Sequence, residues 1–147
     1  MIVTYPNNVL KERCIEVQDI DAAVIGDMLR ELRESGGVGL AAPQIGSLQR
    51  IVVIDANAGT DKSNPLVMIN PTISKSSKKF EEGIEACLSL PGRRFRVNRA
   101  KSVWVSFTDS TGKRTKRFSS GFEATIILHE IDHLNGITIA DKGREVL

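Results

Sequence analysis

The segment His129-Glu130-Ile131-Asp132-His133 constrains the fold of this chain more than any other. Histidines four residues apart lie on one face of a helix, one turn apart, so both imidazoles can reach a single metal ion. On such a helix Glu130 is rotated by about 100° from His129, which places its carboxylate beside the metal rather than on it. A general base that takes a proton from water needs that position. The segment therefore predicts a helix that carries a metal site.

The apolar run Ile126-Ile127-Leu128 precedes the histidines and indicates that this helix is buried. An ordinary helix with surface or capping histidines is the alternative, and the apolar run disfavours it. Ser120 followed by Glu123 has the pattern of a capping box, and Asn135-Gly136 is typical of a helix end. Only about eleven residues follow, which are too few for another sizeable element.

Apolar periodicity predicts the remaining elements. Asp19–Ser35 has the apolar stripe of an amphipathic helix, which Gly36-Gly37 ends. The predicted strands are Arg50–Asp55, Leu66–Ile69 ended by Asn70-Pro71, and a hairpin of Ser102–Phe107 with Arg114–Ser119. The fold class is α+β, a single catalytic domain over residues 1–147. Its small antiparallel or mixed sheets surround a central C-terminal metal-binding helix, and an amphipathic helix lies near the N-terminus.

Composition excludes several other classes of protein. The longest apolar runs are a handful of residues, too short for a membrane span, and the first residues lack the pattern of a secretory signal. Two cysteines set no disulfide framework. We therefore expect a cytoplasmic protein without membrane contact.

The charge is unevenly distributed along the chain. The net charge is +2, but the segment from Lys75 to Arg117 has twelve Lys and Arg against four Asp and Glu, a local balance of +8. Such a basic half is either a surface for nucleic acid or a set of solvated strand faces with edge-protecting lysines. The sequence favours the second interpretation.

A hydrolytic metal site usually has three protein ligands, and the helix supplies two. No third His or Glu follows at the spacing of the usual HExxH peptidases. The remaining candidates are the thiolate of Cys87 or Cys14, or a carboxylate. Cys87 is preferred because it lies in the short turn-flanked segment Glu85–Gly92. Cys14 lies in a peripheral N-terminal segment and is interpreted as an inert side chain.

Small residues are dense in the segment Gly36–Gly46. They let a backbone come close to a neighbouring helix or to a ligand. Gln44 is the only long polar side chain of this run, and its amide could donate to a developing oxyanion. A tight glycine turn with Ala41-Ala42 packing is the alternative, and both interpretations remain open for this segment taken alone.

Together the three segments resemble the peptide deformylase family, which carries GxGLAAPQ, EGCLS and HExDH in this order and at about these separations. Here they are Gly37–Gln44, Glu85–Ser89 and His129–His133. The resemblance covers essentially the whole chain. It implies a metal-dependent hydrolase that removes the formyl group from N-formylmethionine at the N-terminus of nascent polypeptides and releases formate.

The resemblance also implies roles for individual residues. Cys87, His129 and His133 would hold one divalent metal with a water as fourth ligand; Fe(II) is favoured, and Zn(II), Ni(II) or Co(II) could replace it in purified protein. Glu130 would act as general base and then general acid while that water attacks the formyl carbon. The Gln44 amide and the Leu88 N–H would donate to the oxyanion, and Gly39, Val38 and Arg94 would line the substrate cleft. Ile126 and Leu88 would surround the methionine side chain. Glu85 would accept a hydrogen bond from a ligating imidazole, and Asp132 would pair with Arg99.

Two features depart from the family pattern. Ala86 stands where glycine most often precedes the metal cysteine, and a positive φ there would strain an alanine. The chain also ends soon after the metal helix, as in short phage-encoded members, so no C-terminal helix is expected to dock on the ribosome. The basic half could substitute in a transient contact with ribosomal RNA, and we expect a monomer.

Two other functions remain open from the sequence. A general metallopeptidase or amidase would use the same chemistry on an unformylated substrate. A non-catalytic, metal-stabilised binding protein would keep the fold without turnover. The presence of Glu130 and Gln44 disfavours the non-catalytic reading.

Overall fold

The computed structural model describes all 147 residues. Its helices are α1 (Ala22–Ser35), α2 (Gly121–Leu134) and α3 (Ile139–Lys142), with 3-10 helices at Asn8–Lys11 and Ala42–Ile45. Its strands are β1 (Gly39–Ala41), β2 (Ile51–Ile54), β3 (Leu66–Ser76), β4 (Phe80–Cys87), β5 (Leu90–Ala100), β6 (Ser102–Thr108), β7 (Arg114–Ser120) and β8 (Arg144–Val146).

A five-stranded antiparallel sheet in the order β1-β2-β3-β6-β7 forms the larger part of the fold. In β6, Val103, Val105 and Phe107 are buried and the residues between them face outward, as strand alternation requires. α2 packs across this buried face, where Ile127 and Leu134 are fully buried. The predicted hairpin of β6 and β7 is confirmed.

α1 covers the opposite face of the same sheet, beside β1, β2 and β3. Its buried residues Ile25, Met28 and Leu32 belong to one cluster with side chains of these strands. Asp21 caps the helix by accepting from Val24 N at 3.2 Å, and Gly36 ends it at a φ of 69°. Since both faces of the sheet are covered here, β2 is apolar at every position.

A three-stranded antiparallel sheet in the order β4-β5-β8 forms the smaller part. The sequence did not indicate β4 and β5 as strands, because Gly83, Pro91 and Gly92 interrupt the segment and charged residues break its apolar alternation. Pairing between the two strands, not local propensity, holds this segment extended. Cys87 therefore lies at the end of a long strand rather than in an isolated turn.

β3 does not end at Asn70-Pro71 as predicted. Asn70 has a φ of 51°, and its side chain bonds both the N–H and the carbonyl of Val17, at 2.8 and 2.9 Å. The register with β6 shifts between Ile69 and Thr72. This bulge accommodates the proline, so the strand continues beyond it.

Two further local predictions are wrong. Ser120 is the N-cap of α2, but its side chain makes no capping hydrogen bond, because Glu123 instead accepts from Arg117 and from Ser119 Oγ. Cys14 is not peripheral but buried in the core beneath α2. Burial raises the pKa of its thiol to about 11, which agrees with an inert side chain.

The architecture is a small α+β fold with antiparallel sheets, as predicted. No helix is both long and apolar enough to cross a membrane. α2 packs on the larger sheet and also contacts the smaller one, so that side chains of β4 and α2 meet between the two sheets.

Candidate metal centre and active site

Three buried side chains converge where the end of β4 meets α2. They are Cys87, His129 and His133, whose ligand atoms all lie within 4.8 Å of one another. Cys87 Sγ is 3.3 Å from His133 Nε2, and the two imidazole centroids are 5.3 Å apart. The helix period places the histidines on one face, and the β4–β5 hairpin brings the thiol to them. This group could hold one metal ion.

A carboxylate orients the first histidine. Glu85 Oε1 lies 2.9 Å from His129 Nδ1, which leaves Nε2 of that imidazole for the cluster. Arg99 holds Glu85 in turn, with Nε on Oε2 at 2.6 Å and Nη2 on Oε1 at 2.9 Å. Burial would raise the pKa of Glu85, but the hydrogen bonds from His129 and Arg99 outweigh it and lower that pKa. Glu85 therefore stays ionised.

Arg99 also reaches α2. Its Nη1 donates to Asp132 Oδ2 at 2.8 Å, which is the contact expected from the sequence. Lys142 Nζ lies 3.1 Å from both oxygens of the same carboxylate. One guanidinium thus joins β4, β5 and α2 directly behind the candidate ligands.

The surroundings of the cluster shift the pKa values of its titratable groups in different directions. Burial raises the pKa of the Glu130 carboxyl to about 7, although His129 and Arg99 act in the opposite direction. Burial lowers the pKa of His133 to about 3, assisted by the positive charges of His129 and Arg99. Burial would also lower the pKa of His129, but Glu130, Cys87 and Glu85 raise it to about 10. The surroundings of His129 therefore favour a positive charge at this point.

These residues fit a divalent transition metal. One thiol and two imidazoles are the ligands that such ions prefer. Glu130 Oε1 is buried without a hydrogen-bond partner, as is His133 Nδ1. A carboxylate oxygen without a hydrogen-bond partner, beside three candidate metal ligands, is well placed to accept a proton from water.

Gln44 faces the cluster in one defined orientation. Its Oε1 accepts from Ala41 N at 2.9 Å, which turns its Nε2 towards Cys87 Sγ, 3.6 Å away. Nε2 also donates to Ser89 Oγ at 3.0 Å. The side chain is buried, so its N–H groups form a fixed donor beside the candidate ligands.

The position of Gly39 shows why part of the segment Gly36–Gly46 consists of small residues. A Cβ at this position would lie 2.6 Å from Glu130 Oε2 and 2.8 Å from Ile126 Cγ2. β1 therefore approaches α2 as closely as it does only because residue 39 has no side chain. Ala86 has no positive φ, so alanine fits there without backbone strain.

A cavity of about 1040 Å³ runs along the cluster. Its walls include the predicted cleft residues Val38, Gly39, Leu88 and Ile126, with Glu130 and His129 at its inner end. Arg94 does not line it. β5 buries the residues at alternate positions, Phe95, Val97 and Arg99, and Arg94 is an exposed residue outside that series.

Two contacts that support the site were not predicted from the sequence. Ser89 is fully buried and its Oγ, besides accepting from Gln44, donates to Val3 O at 2.7 Å. The bidentate contact of Arg99 with Glu85 was also not anticipated. A serine after a leucine and a cross-strand arginine have no local signature, since both contacts depend on pairing of distant segments.

A small α+β fold with a buried Cys-His-His cluster and an adjacent carboxylate has the kind of centre that metal-dependent hydrolases use. A family model described as polypeptide deformylase matches residues 1–146. The chain belongs to this family.

Individual relatives agree with that assignment. A peptide deformylase of Borreliella burgdorferi is 40% identical over 150 residues, covering 99% of this chain and 88% of the relative. One from Prochlorococcus marinus (strain NATL1A) is 42% identical over 130 residues and covers 88% of this chain. The alignment spans only 64% of the length of that Prochlorococcus protein. The structure of a probable peptide deformylase from Synechococcus phage S-SSM7 is similar, with a TM-score of 0.90, 34% identity, and coverage of 97% of this chain and 98% of that one.

Proposed function

We propose that this protein removes the formyl group from N-formylmethionine at the N-terminus of nascent polypeptides and releases formate. The observation that carries this proposal is the buried Cys87, His129 and His133 cluster with the unpaired Glu130 Oε1 beside it. Membership of the polypeptide deformylase family supplies the substrate class. The remaining features of the site are consistent with cleavage of a small amide.

Cys87, His129 and His133 would hold one divalent metal, and we favour Fe(II) over Zn(II), Ni(II) or Co(II). When bound, such an ion acts as a Lewis acid that acidifies water and polarises a carbonyl. Glu85 holds His129 through Nδ1, and Arg99 holds Glu85 and Asp132. These contacts would keep the donor atoms in place and tune their basicity.

Glu130 is the proton carrier in the proposed mechanism. With a pKa raised to about 7 by burial, its carboxylate can take a proton from the attacking water at neutral pH. The water oxygen forms a bond with the formyl carbon, and the bond from that carbon to the amide nitrogen breaks. Glu130 then delivers the proton to the leaving amine, so that formate and a free N-terminus result.

Gln44 and Leu88 are proposed to stabilise the developing oxyanion. The fixed Nε2 of Gln44 and the backbone N–H of Leu88 are the donors. β1 is an edge strand, so the backbone around Gly39 can pair with an extended substrate. Val38, Leu88 and Ile126 line the cavity and would contact the methionine side chain.

The same proposal has consequences for the domain organisation, partners, oligomeric state and location of the protein. Residues 1–147 would act as one catalytic domain, centred on the HExxH helix α2, with the amphipathic α1 covering the outer sheet face. Its partners would be N-formylmethionyl peptides and, transiently, the ribosome on which these are made. We propose a monomer acting in the cytoplasm, where such peptides are synthesised.

The test is formate release from formyl-Met-Ala-Ser by protein loaded with Fe(II) or Ni(II). Glu130→Ala should lower kcat by about 10²–10⁴-fold with one metal still bound. Glu123→Ala is the matched control on the same helix, and it should leave kcat unchanged.

Unformylated Met-Ala-Ser and an internal peptide bond serve as alternative substrates. Cleavage of these at equal rates would identify a general metallopeptidase instead. Absence of turnover with one metal bound per chain would identify a non-catalytic binding protein.

A further inference from the structure

Two aromatic side chains are exposed on the face of the larger sheet that points away from α2, at β6 and β7, where α1 does not cover it. Trp104 of β6 lies directly opposite Phe118 of β7, with ring centroids 5.4 Å apart and planes inclined by 54°. Their side chains are 42% and 51% exposed, because they point away from the core that β6 forms with α2. Burial therefore does not explain why two large rings occupy this face.

Three cations share the face with these rings. Lys75 of β3 is in register with Trp104, and Arg114 and Lys116 precede Phe118 at alternate positions of β7. Arg114 donates to Asn70 O, Thr72 Oγ1 and Ser106 O, all uncharged acceptors. None of the three cations has a carboxylate partner.

Some other cations of the basic half differ in this respect. Five of them form ion pairs with acids: Arg93 with Glu145, Arg96 with Glu82, Arg99 with Glu85, Lys101 with Glu81, and Arg117 with Glu123. On β5 three of the four arginines are paired with acids, whereas Lys75, Arg114 and Lys116 around the aromatic pair have no carboxylate partner. Hydroxyl side chains fill the strand positions between the rings and the cations, and no acid occupies them.

We propose that this face, defined by Trp104, Phe118, Lys75, Arg114 and Lys116, binds single-stranded RNA. Bases stack on the two rings, since every base offers a π-face. Phosphates contact the three cations, whose charge no protein acid competes for. The hydroxyl groups of the face, such as Ser106 Oγ, can meet the ribose 2′-OH. A membrane would need a contiguous apolar surface, which two rings among hydroxyl groups do not provide.

The position of the face suits an enzyme that acts on nascent chains. It is the side of the sheet opposite α2, so RNA bound there leaves the cavity beside Glu130 open. If the protein acts as proposed above, exposed loops of ribosomal RNA would hold it near the emerging N-terminus. This placement near the nascent chain rests on the proposed function, whereas RNA binding itself does not require turnover.

The experiment uses the only tryptophan of the chain, Trp104, as its reporter. The metal-loaded protein is titrated with a mixed-sequence single-stranded RNA of about 12 nucleotides. Stacking should quench the Trp104 fluorescence. The logarithm of affinity should fall with the logarithm of salt concentration with a slope of about −2, as three phosphate contacts require for a single strand.

Two triple variants with the same change of net charge distinguish RNA binding at this face from nonspecific attraction of RNA to a basic protein. Lys75→Gln/Arg114→Gln/Lys116→Gln should weaken binding at least tenfold and bring the salt slope close to zero. Lys11→Gln/Arg33→Gln/Lys62→Gln, at exposed positions elsewhere, should leave affinity and slope unchanged. Phe118→Ser, followed with end-labelled RNA, should weaken binding about tenfold. Thermal melting verifies that each variant is folded.

Equal effects of the two triple variants, or no quenching by RNA, would overturn the proposal. Quenching by anionic phospholipid vesicles but not by RNA would assign the face to a membrane. Quenching that rises with protein concentration alone would assign it to a second copy of this chain. Formate release from the short peptide should be the same in all variants. RNA binding by a protein without turnover would refute the proposed function and leave this inference standing.

Discussion

At the scale of single residues, burial gives Glu130 two properties that a surface carboxylate lacks. Its pKa is raised to about 7, so both protonation states are accessible near neutral pH. Its Oε1 has no hydrogen-bond partner, so that atom is free to exchange a proton. One side chain can therefore first accept and then return the proton of the proposed reaction.

The close approach of β1 to α2 leads to a prediction for Gly39. In Gly39→Ala the new Cβ would collide with Glu130 Oε2 and Ile126 Cγ2, at 2.6 and 2.8 Å. The carboxylate must move, and kcat/KM for the formyl peptide should fall about 10²-fold. Gly26→Ala is the control, since a Cβ there meets nothing within 4 Å. It should keep full activity and gain about 0.5–1 kcal/mol of stability. A Gly39→Ala enzyme with unchanged kcat/KM would contradict the assigned position of Glu130.

Ser89 links the Gln44 amide to the N-terminal segment. Ser89→Ala removes the acceptor of Gln44 Nε2 and the donor to Val3 O. Loss of these two hydrogen bonds, one of them to a buried amide, should cost about 1–3 kcal/mol in urea unfolding. We expect kcat to fall about tenfold with KM nearly constant, because the amide is less well oriented. Ser110→Ala, in an exposed turn, should change neither quantity. A stability loss without any change in kcat would limit Ser89 to a structural role.

At the scale of elements, the guanidinium of Arg99 joins three segments, β4, β5 and α2. It is nearly fully buried and bonds Glu85 of β4 and Asp132 of α2. Burial would lower the pKa of Arg99, but these two carboxylates outweigh it and raise that pKa. The hairpin and the helix are therefore held together by charge-assisted hydrogen bonds beside the metal ligands.

Asp132→Ala tests this link. Loss of the Arg99 contact should lower the free energy of unfolding by about 1.5–3 kcal/mol and weaken metal retention about 10–100-fold. Turnover per bound metal should stay near the wild-type value, because Asp132 does not touch the cavity. Asp27→Ala breaks an exposed pair with Arg30 and should leave the free energy of unfolding nearly unchanged. An Asp132→Ala protein with wild-type melting and metal content but no turnover would refute this assignment.

At the scale of the whole molecule, the candidate metal centre connects the two sheets. Cys87 belongs to β4 of the smaller sheet, whereas His129 and His133 belong to α2, which packs on the larger one. A bound ion therefore cross-links both parts of the fold. The free energy with which the ion binds the folded chain therefore adds to the free energy of unfolding.

Removal of the metal should lower the melting temperature. At a thousandfold excess over its dissociation constant the ion contributes about 4 kcal/mol, which corresponds to about 10 °C for a chain of this size. Scanning calorimetry with and without a chelator measures the shift. In Cys87→Ser, which lacks the thiolate, the chelator should change the melting temperature much less. Equal shifts in both proteins would show that Cys87 is not a ligand.

The candidate site was predictable where its contacts are local. His129 and His133 are four residues apart, so the helix period alone brings them together. The β6–β7 hairpin followed from two alternating segments around a short turn. In contrast, β3 was predicted too short, because the side chain of Asn70 stabilises a bulge by bonding Val17, far away in sequence.

The amino-acid sequence by itself determined the α+β class, the helix with its pair of imidazoles, and the carboxylate beside them. Cys87 lies 46 positions before His133, and without the family resemblance it was one of several candidates. Only the tertiary structure decided that β4 and β5 pair, that Arg99 also holds Glu85, and that Ser89 holds Gln44. The physical reason is that contacts within one helical turn are dictated by backbone geometry. Contacts between distant segments form only when the sheets that carry them pack around α2.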